Sequence, residues 1–516
     1  MRFFTDLNIK TQQLLVQPPI FQATVDSQQY RAVAERVQQN GGRLVALWGS
    51  DDRERELSMA VHAALAFEEG LLWMRLPVND GRPVFPDLAD IFPVANRMQR
   101  TIYDLLGLRA DKAVDERPWL RHTAWPKDSF PLRRDFEFEQ DFAGGFDNYP
   151  FVKVEGEGVH EIPVGPVHAG VIEPGHFRFS VVGERVLRLE ERLGYVHKGI
   201  EKRFEGMTLE EGARLAGRVS GDSTVAYAWA YCMAAEMATA TMPPSRAEWL
   251  RALLLERERI ANHLGDLGYL GNDAAFAFGL AQFSRLKEDM LRLNHTYFGH
   301  RYLMDCIVPG GVVQNISAEC IASIRQEIEV LQRELPTLKI IYDEHAGLQD
   351  RFLTTGQVTP QLAVKLGLTG LVGRASGQAM DLRVQFPGVP YDRLDIHMAT
   401  HSNGDVAARV SVRFDEVAES LRLIENMIEL MPDGEVRVPV NSVTEGKCGI
   451  GWVEGWRGEI LVALETTQDN RIYRCHPHDP SWQNWPLLEY AVIGNIVPDF
   501  PLINKSFNLS YSGQDL

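Results

Sequence analysis

Three stretches in the second half of the chain repeat apolar residues at three- and four-residue spacing over lengths that only long helices accommodate. Trp249, Leu253, Ile260, Leu264 and Leu267 share one stripe, and Ile321, Ile324, Ile328, Leu331 and Leu335 share a second. Phe414, Val417, Leu421, Ile424 and Ile428 form a third, which stops at Pro-Asp-Gly. A stripe of that period is buried against other helices. From about residue 160 onward the chain is therefore expected to form a long-helix bundle, with its chemistry between helices or at their ends. Pro243-Pro244 end one helix, and Ser245-Arg-Ala-Glu248 has the capping-box pattern that opens the next. Val308-Pro-Gly-Gly-Val312 reads as a loop.

The first 135 residues follow a different rule. SQQYRAVAERVQQNGG is helical in pattern and closed by a Gly pair, while RLVALWG, Asp51-Asp52 and GLLWMRLPV read as strand, turn and strand. Residues 136–160 mix acids, Gly and aromatics without either period and read as a linker. The fold class is thus α+β: a small mixed α/β domain over 1–135, a linker over 136–160 and a mainly α-helical domain over 161–516.

Composition narrows the function. A net charge of −17 argues against a nucleic-acid surface, which needs a basic patch. No run reaches the roughly 18 apolar residues of a membrane helix; the longest, Val225 to Ala235, is closed by Glu236 and reads as a buried helix. The start MRFFTDLNIKTQQ lacks a basic region followed by an apolar one, so no secretory signal is expected. Cys232, Cys306, Cys320, Cys448 and Cys475 contain no C-x-x-C pair and read as reduced, mostly buried thiols. A P-loop, G-x-G-x-x-G after a strand, G-x-S-x-G and H-E-x-x-H are all missing from the sequence.

Several spaced elements nevertheless agree with one superfamily. Tyr103-Asp104-Leu-Leu-Gly107-Leu and Pro131-Leu-Arg133-Arg-Asp135-Phe resemble the signature of the 30-kilodalton subunit of complex I. Gly165-Pro-Val-His168, Glu173-Pro-Gly-His176-Phe, Tyr195-Val-His-Lys198-Gly-Ile-Glu201-Lys, Pro-Gly-Gly-Val312, Arg374-Ala-Ser-Gly377 with Asp381-Leu-Arg383, and Tyr473-Arg-Cys475 resemble the 49-kilodalton subunit. The tail, Ile496-Val-Pro-Asp499-Phe-Pro-Leu-Ile and Asn508-Leu-Ser510-Tyr-Ser-Gly513-Gln-Asp, is similar to a hydrogenase C-terminus. The whole resembles energy-converting [NiFe]-hydrogenase large subunits of the formate-hydrogenlyase type, in which the two domains are fused.

The resemblance implies four nickel-iron thiolates from two C-x-x-C motifs, soft ligands of the kind such a centre needs. Here those positions are Ser220, Ser223, Ser510 and Gly513. A serine hydroxyl is hard and un-ionised near neutral pH and glycine offers no ligand, so neither a NiFe centre nor any other metal is expected in this chain. The chain also ends at Leu516, about where a processed hydrogenase large subunit would end. The quinone-binding His and Tyr of complex I fall on Ile172 and Gly221, and a further His near the terminal cluster falls on Leu303; Tyr227 or Tyr231 is the candidate substitute phenol.

What survives supplies the candidate site. Lys198 stands where the family has a cation beside the partner's iron–sulfur cluster. His168 and His176 lie on the loop that lines the family's cavity, and Glu201 is a candidate proton carrier. Asp222 with the two serines puts polar groups at the old metal position, either to bind a ligand or to satisfy one another, and Ser-Gly-Asp-Ser is also a helix N-cap pattern. Arg374 and Asp381, with Arg383, complete the set.

The resemblance implies a soluble-arm subunit of a membrane-bound, NADH:quinone-oxidoreductase-like or hydrogenase-like complex. It would be peripheral on the cytoplasmic side of the inner membrane. Its implied partners are a small iron–sulfur subunit with a [4Fe–4S] cluster, membrane ion-translocating subunits, and a quinone or another small redox acceptor. Any NADH site would lie on another subunit. A structural coupling scaffold without redox chemistry is the alternative.

Overall fold

The computed structural model describes residues 7, 9–14, 18–79, 81–137, 144–145, 148–169 and 172–516. The expected linker is therefore described only in part, since 138–143 and 146–147 lie outside these residues.

The N-terminal unit is built on a five-stranded sheet of order β1-β2-β5-β4-β3: β1 Gln12–Leu14, β2 Ile20–Thr24, β3 Arg43–Ser50, β4 Ala60–Phe67 and β5 Gly70–Pro77. The strand–turn–strand expectation omitted β4, AVHAALAF, whose alanine-rich sequence lacks the β-branched signature of a strand. It is the sheet's most buried strand and pairs with both neighbours. Helix α1 (Ser27–Gln39) follows β2, opened by a capping box between Asp26 and Gln29. The short parallel pair β6 (Val84–Pro86) and β7 (Arg109–Asp111) is bridged by α2, Ala95–Leu106, which ends on Gly107 at φ 75°.

Helices do not begin at residue 160. An antiparallel sheet of β8 (Val159–Val164), β9 (His176–Val182) and β10 (Arg185–Arg192) comes first. The helical body then runs α3 Ile200–Phe204, α4 Leu209–Ala216, α5 Thr224–Ala238, α6 Ser245–Asp273 and α7 Ala277–Phe298. Val308 to Val312 is a two-stranded hairpin, β11 (Ile307–Val308) and β12 (Gly311–Val312), where a loop was expected. After it come α8 Ala318–Glu344, α9 Ala346–Phe352, α10 Pro360–Leu366, α11 Gly370–Ala375, α12 Leu382–Gln385 and α13 Val406–Leu430. A three-stranded antiparallel sheet follows, β13 (Cys448–Glu454), β14 (Glu459–Thr466) and β15 (Ile472–His478). The described chain closes with α14 Ser481–Ala491, α15 Phe500–Phe507 and α16 Tyr511–Asp515.

The three apolar stripes lie on α6, α8 and α13, with all but Ile321 and Ile428 buried. The expected capping box at Ser245 does not form: Pro244 is the N-cap residue of α6 and makes no side-chain cap bond. A Thr208–Glu211 capping box opens α4 instead. Free cysteines bear out the thiol reading, with four buried and Cys448 half-buried.

The N-terminal sheet and the β13–β15 sheet share a core of Trp48, Trp73, Ile450, Trp452 and Leu461. At that junction Trp48 is sandwiched between two imidazoles. His62 stacks at 5.2 Å on one side and His476 at 5.0 Å on the other, each within 9° of parallel.

Candidate functional site

Two turns remote in sequence meet beneath the helical body. One is the 3-10 turn Gly221–Ser223 that leads into α5, and the other is the N-terminus of α16, where Ser510 is the N-cap. The amide of Gly513 donates to Ser510 Oγ at 2.8 Å, Ser510 Oγ lies 2.8 Å from Ser220 Oγ, and Ser220 Oγ donates to Asp222 Oδ1 at 2.8 Å. Because an ionised carboxylate only accepts and each hydroxyl carries one proton, the direction is fixed: Gly513 to Ser510 to Ser220 to Asp222.

Arg457, at the tip of the β13–β14 hairpin, closes the arrangement. Its guanidinium clasps the Asp222 carboxylate through both terminal nitrogens, with Nη1 at 2.8 Å from Oδ1, and Nη1 also reaches Ser223 Oγ at 3.1 Å. Its Nε donates to the Asn508 carbonyl at 2.5 Å, so one cation ties the two turns together. Burial would raise the Asp222 carboxyl, but Arg457 and the Ser220 hydroxyl hold it below the ordinary range. Trp456 donates to the Asp222 carbonyl from the same hairpin tip.

Of the four positions that the resemblance assigns to metal thiolates, Ser220 and Ser510 face each other, Gly513 donates its amide to Ser510, and Ser223 meets the guanidinium of Arg457. Ser220 and Ser510 are 4% and 3% exposed. At Gly513 a side chain has no room, because a Cβ there would lie 2.6 Å from Asp479 Cγ. Asp479 in turn accepts from the Tyr227 hydroxyl at 2.7 Å. That phenol is buried and committed to Asp479, whereas the Tyr231 hydroxyl is buried and makes no hydrogen bond among the described residues. Three hydroxyls, a hydrogen and a guanidinium are not a nickel-binding set. Among the described residues, no group of three or more His, Cys, Asp or Glu side chains could hold a metal ion.

Lys198 belongs to this site. Its Nζ reaches the Val219 carbonyl at 3.2 Å, next to Ser220, and its amide donates to the Leu516 carbonyl. Burial lowers its ammonium, against Glu173 and Asp515. Glu173 accepts from Ser512, so the Lys198 loop and the β8–β9 loop both pack on α16. His168 and His176 brace the β8–β9 loop: His168 Nε2 meets the Gly175 carbonyl at 2.8 Å and His176 Nδ1 the Gly165 carbonyl at 3.3 Å. Ser223 is the N-cap residue of α5 but makes no cap bond; Glu258 does that work, accepting from the Val225 amide at 2.7 Å.

Three candidates lie elsewhere. Glu201 is buried against Arg474 Nη2 and His476 Nδ1, each at 2.7 Å, beside the Trp48 stack. Burial opposes its charge, yet Arg474 and His476 pull its carboxyl down to about 2, which suits a fixed ion pair better than a proton carrier. Arg374 and Asp381 belong to a buried ladder between α6 and α13. Along it Glu256 meets Ser420, His263 meets Glu416 at 2.7 Å, and Asp266 meets Arg413 at 3.0 Å. Arg374 extends it by donating to Glu416 and Glu454, and Arg383 joins Asp381 to Glu256. The sequence reading named Arg374, Asp381 and Arg383 but missed Arg457, Asp479 and the ladder's members on α6 and α13. The signal for the α6 members was the spacing Glu256, Arg259, His263, Asp266, which sets titratable groups at helical period along one side of the helix.

The N-terminal unit matches the family described as respiratory-chain NADH dehydrogenase, 30 Kd subunit, over residues 23–142; residues 270–449 match its 49 Kd subunit. Fold and site thus define a class, a 30-kilodalton-type unit fused to a 49-kilodalton-type unit. Formate hydrogenlyase subunit 5 of Escherichia coli is 31% identical over 483 residues, covering 92% of this chain and 85% of that one. The C/D subunit of NADH-quinone oxidoreductase from Bacteroides thetaiotaomicron is 28% identical, covering 83% of this chain and 86% of that protein. A solved chain from the membrane-bound sulfane sulfur reductase, an archaeal respiratory membrane complex, shares the fold with a TM-score of 0.66 and 24% identity, covering 70% of this chain and 99% of that one. The chain belongs to the family of fused 30/49-kilodalton-type subunits shared by complex I and hydrogenase-related complexes.

Proposed function

We propose that this chain is the large subunit in the soluble arm of a membrane-bound, hydrogenase-related oxidoreductase, and that it works without a NiFe centre. The observation that carries the reading is Arg457, whose guanidinium joins the two ligand-bearing turns where a metal would otherwise bridge them. Electron transfer then runs through a [4Fe–4S] cluster of a small partner subunit, and this chain forms one wall of the acceptor's site. No described helix is long and apolar enough to cross a membrane, so attachment comes through ion-translocating partner subunits. Lys198 lies on the exposed side of the site, as a cation beside a partner's cluster would. Val167 and Ile172, 83% and 46% exposed, offer apolar surface on the neighbouring loop. A fixed positive charge stabilises the reduced cluster.

The closed site also favours a second reading. With Ser220 and Ser510 buried and hydrogen-bonded to each other, the old metal position is packed like a structural element, which is what a coupling scaffold requires.

Metal analysis and electron paramagnetic resonance of the purified complex, wild type and Lys198→Ala, test both readings. The proposal expects iron without nickel and a more negative cluster potential in the variant. An unchanged potential with full activity favours the scaffold, and stoichiometric nickel in this subunit overturns both.

A further inference from the structure

Around Arg374 and Arg383 the ladder between α6 and α13 holds a local charge imbalance, while further along it Asp266 is matched by Arg413 and Lys505. Three guanidinium groups, Arg259, Arg374 and Arg383, face four carboxyls, Glu256, Asp381, Glu416 and Glu454, and every one of these residues is 5% exposed or less. Across the β13–β14 hairpin from Glu454, Glu459 adds a further acid, but Arg43 pairs with it, so the excess of one acid remains. Two further titratable groups touch these acids: Tyr391, which donates to Glu256, and His263, whose ring points Nε2 at Glu416. Burial holds the Tyr391 phenol in its neutral form and pulls the His263 imidazole down, towards the neutral form as well. With every carboxyl ionised, a negative charge would be left uncompensated in a site closed to water, which burial strongly opposes.

The contacts identify which acid is least compensated. Glu256 takes Arg383, Arg259, Tyr391 and Ser420. Glu416 takes Arg374 and His263, and Asp381 takes both ends of the Arg383 fork. Glu454 has one nitrogen of Arg374, at 2.8 Å, and the Leu382 amide at 3.2 Å. That same Arg374 nitrogen lies 3.6 Å from Asp381, so the two carboxyls compete for it. Two carboxyls sharing one donor do not both ionise freely.

We infer that Glu454 is a proton-storing site, a buried carboxyl that binds one exchangeable proton in the folded protein and so balances the ladder. The step is a plain acid–base one: a proton from water joins the Glu454 carboxylate as the pH falls and leaves it as the pH rises. Burial first, and then Asp381, push this carboxyl up to about 7, within reach of physiological pH. The position connects the store to the site above it. Trp456, two residues further along the hairpin, lies edge-on over His263 at 6.0 Å and donates to the Asp222 carbonyl, and Arg457 follows it. Glu454 and Arg457 thus stand on one hairpin, at the end of β13 and in the turn that follows it.

The test is isotope-edited infrared spectroscopy of the intact complex with 13C-labelled glutamate, titrated from about pH 5 to about pH 9. The result is read in the difference between wild type and Glu454→Gln, because burial also pushes Glu248 up to about 7 and Glu258 up to about 8. The expected difference is one protonated carboxyl band that disappears near neutral pH and shows about tenfold or more weaker proton binding in Asp381→Asn. Denaturation supplies a readout that a simple ion pair moves the other way. A stored proton makes Glu454→Gln lose least, relative to wild type, on the alkaline side, whereas an ionised Glu454 paired with Arg374 makes the variant lose most there. No protonated glutamate band near neutral pH in the wild type overturns the inference, even if neither variant folds. A difference spectrum between wild type and Glu454→Gln that contains no such band overturns it as well.

Discussion

Ser220 and Ser510 stand 290 positions apart in the chain, yet their hydroxyl oxygens lie 2.8 Å apart in the fold. Related metal centres would join these two turns through sulfur and metal; here a one-way chain of hydrogen bonds ends on Asp222 and is clamped by Arg457. The two turns meet through hydrogen bonds because a buried turn must satisfy its polar groups by some means.

Arg457→Met tests the clamp. The variant leaves the Asp222 carboxylate without its counter-ion and the Asn508 carbonyl without its donor. Hydrogen bonds to charged groups contribute about 1.5–3 kcal/mol. The Asp222 side chain is 38% exposed, so solvent screens part of that and the lower end applies. Urea denaturation should show a loss of about 1.5 kcal/mol, partly recovered in the Asp222→Asn, Arg457→Met double variant, whose two sites are in contact and therefore couple. Equal stability of wild type and single variant would remove Arg457 from this role.

Gly513→Cys is expected to destabilise rather than to restore a ligand. Its Cβ would press on the Asp479 carboxylate, which is anchored by Tyr227 and by the Ser481 amide, so the neighbour has little freedom to yield. Overpacking of this kind costs about 1–3 kcal/mol. Thermal unfolding and the reactivity of the new thiol check it; a stable, nickel-retaining Gly513→Cys protein contradicts the packing argument.

Tyr227→Phe separates a structural phenol from a functional one. The hydroxyl is fully buried and donates to Asp479, so its loss should cost about 1–2 kcal/mol and leave a buried carboxylate oxygen short of a donor. Turnover of the complex per folded molecule should stay within about twofold, a barrier change of roughly 0.4 kcal/mol. A collapse of turnover without loss of stability would make this phenol part of the acceptor site.

Much of this was legible from sequence for physical reasons. The α6, α8 and α13 stripes are long enough for helical period to dominate, whereas the meeting of Ser220 with Ser510 is implied only by the resemblance to a family. What escaped the reading depends on tertiary contact. Strand β4 is alanine-rich and gains its identity from pairing on both sides. Ser245 was overruled by Pro244, whose backbone takes the capping position. Glu201 carries no local mark of its distant partners Arg474 and His476, and Arg457 looks like an ordinary turn residue until the fold delivers Asp222 to it.

Glu201 gives the pH dependence its sign. Its carboxyl is held at about 2 in the folded protein against an ordinary 4.5, so folding favours the charged form. A depressed carboxyl contributes stability that is fully present above pH 4.5 and is lost as the pH falls towards about 2. Glu201→Gln removes the negative charge of a buried pair and leaves Arg474 with neutral acceptors only, the Gly49 and Cys475 carbonyls among them. Breaking such a pair costs about 3–5 kcal/mol. Denaturation midpoints across acid pH should therefore show a large deficit in the variant at neutral pH that narrows steadily below pH 4.5, as protonation removes the same pair from the wild type. Parallel pH profiles for the two proteins would mean that Arg474 and His476 do not hold Glu201 in its charged form.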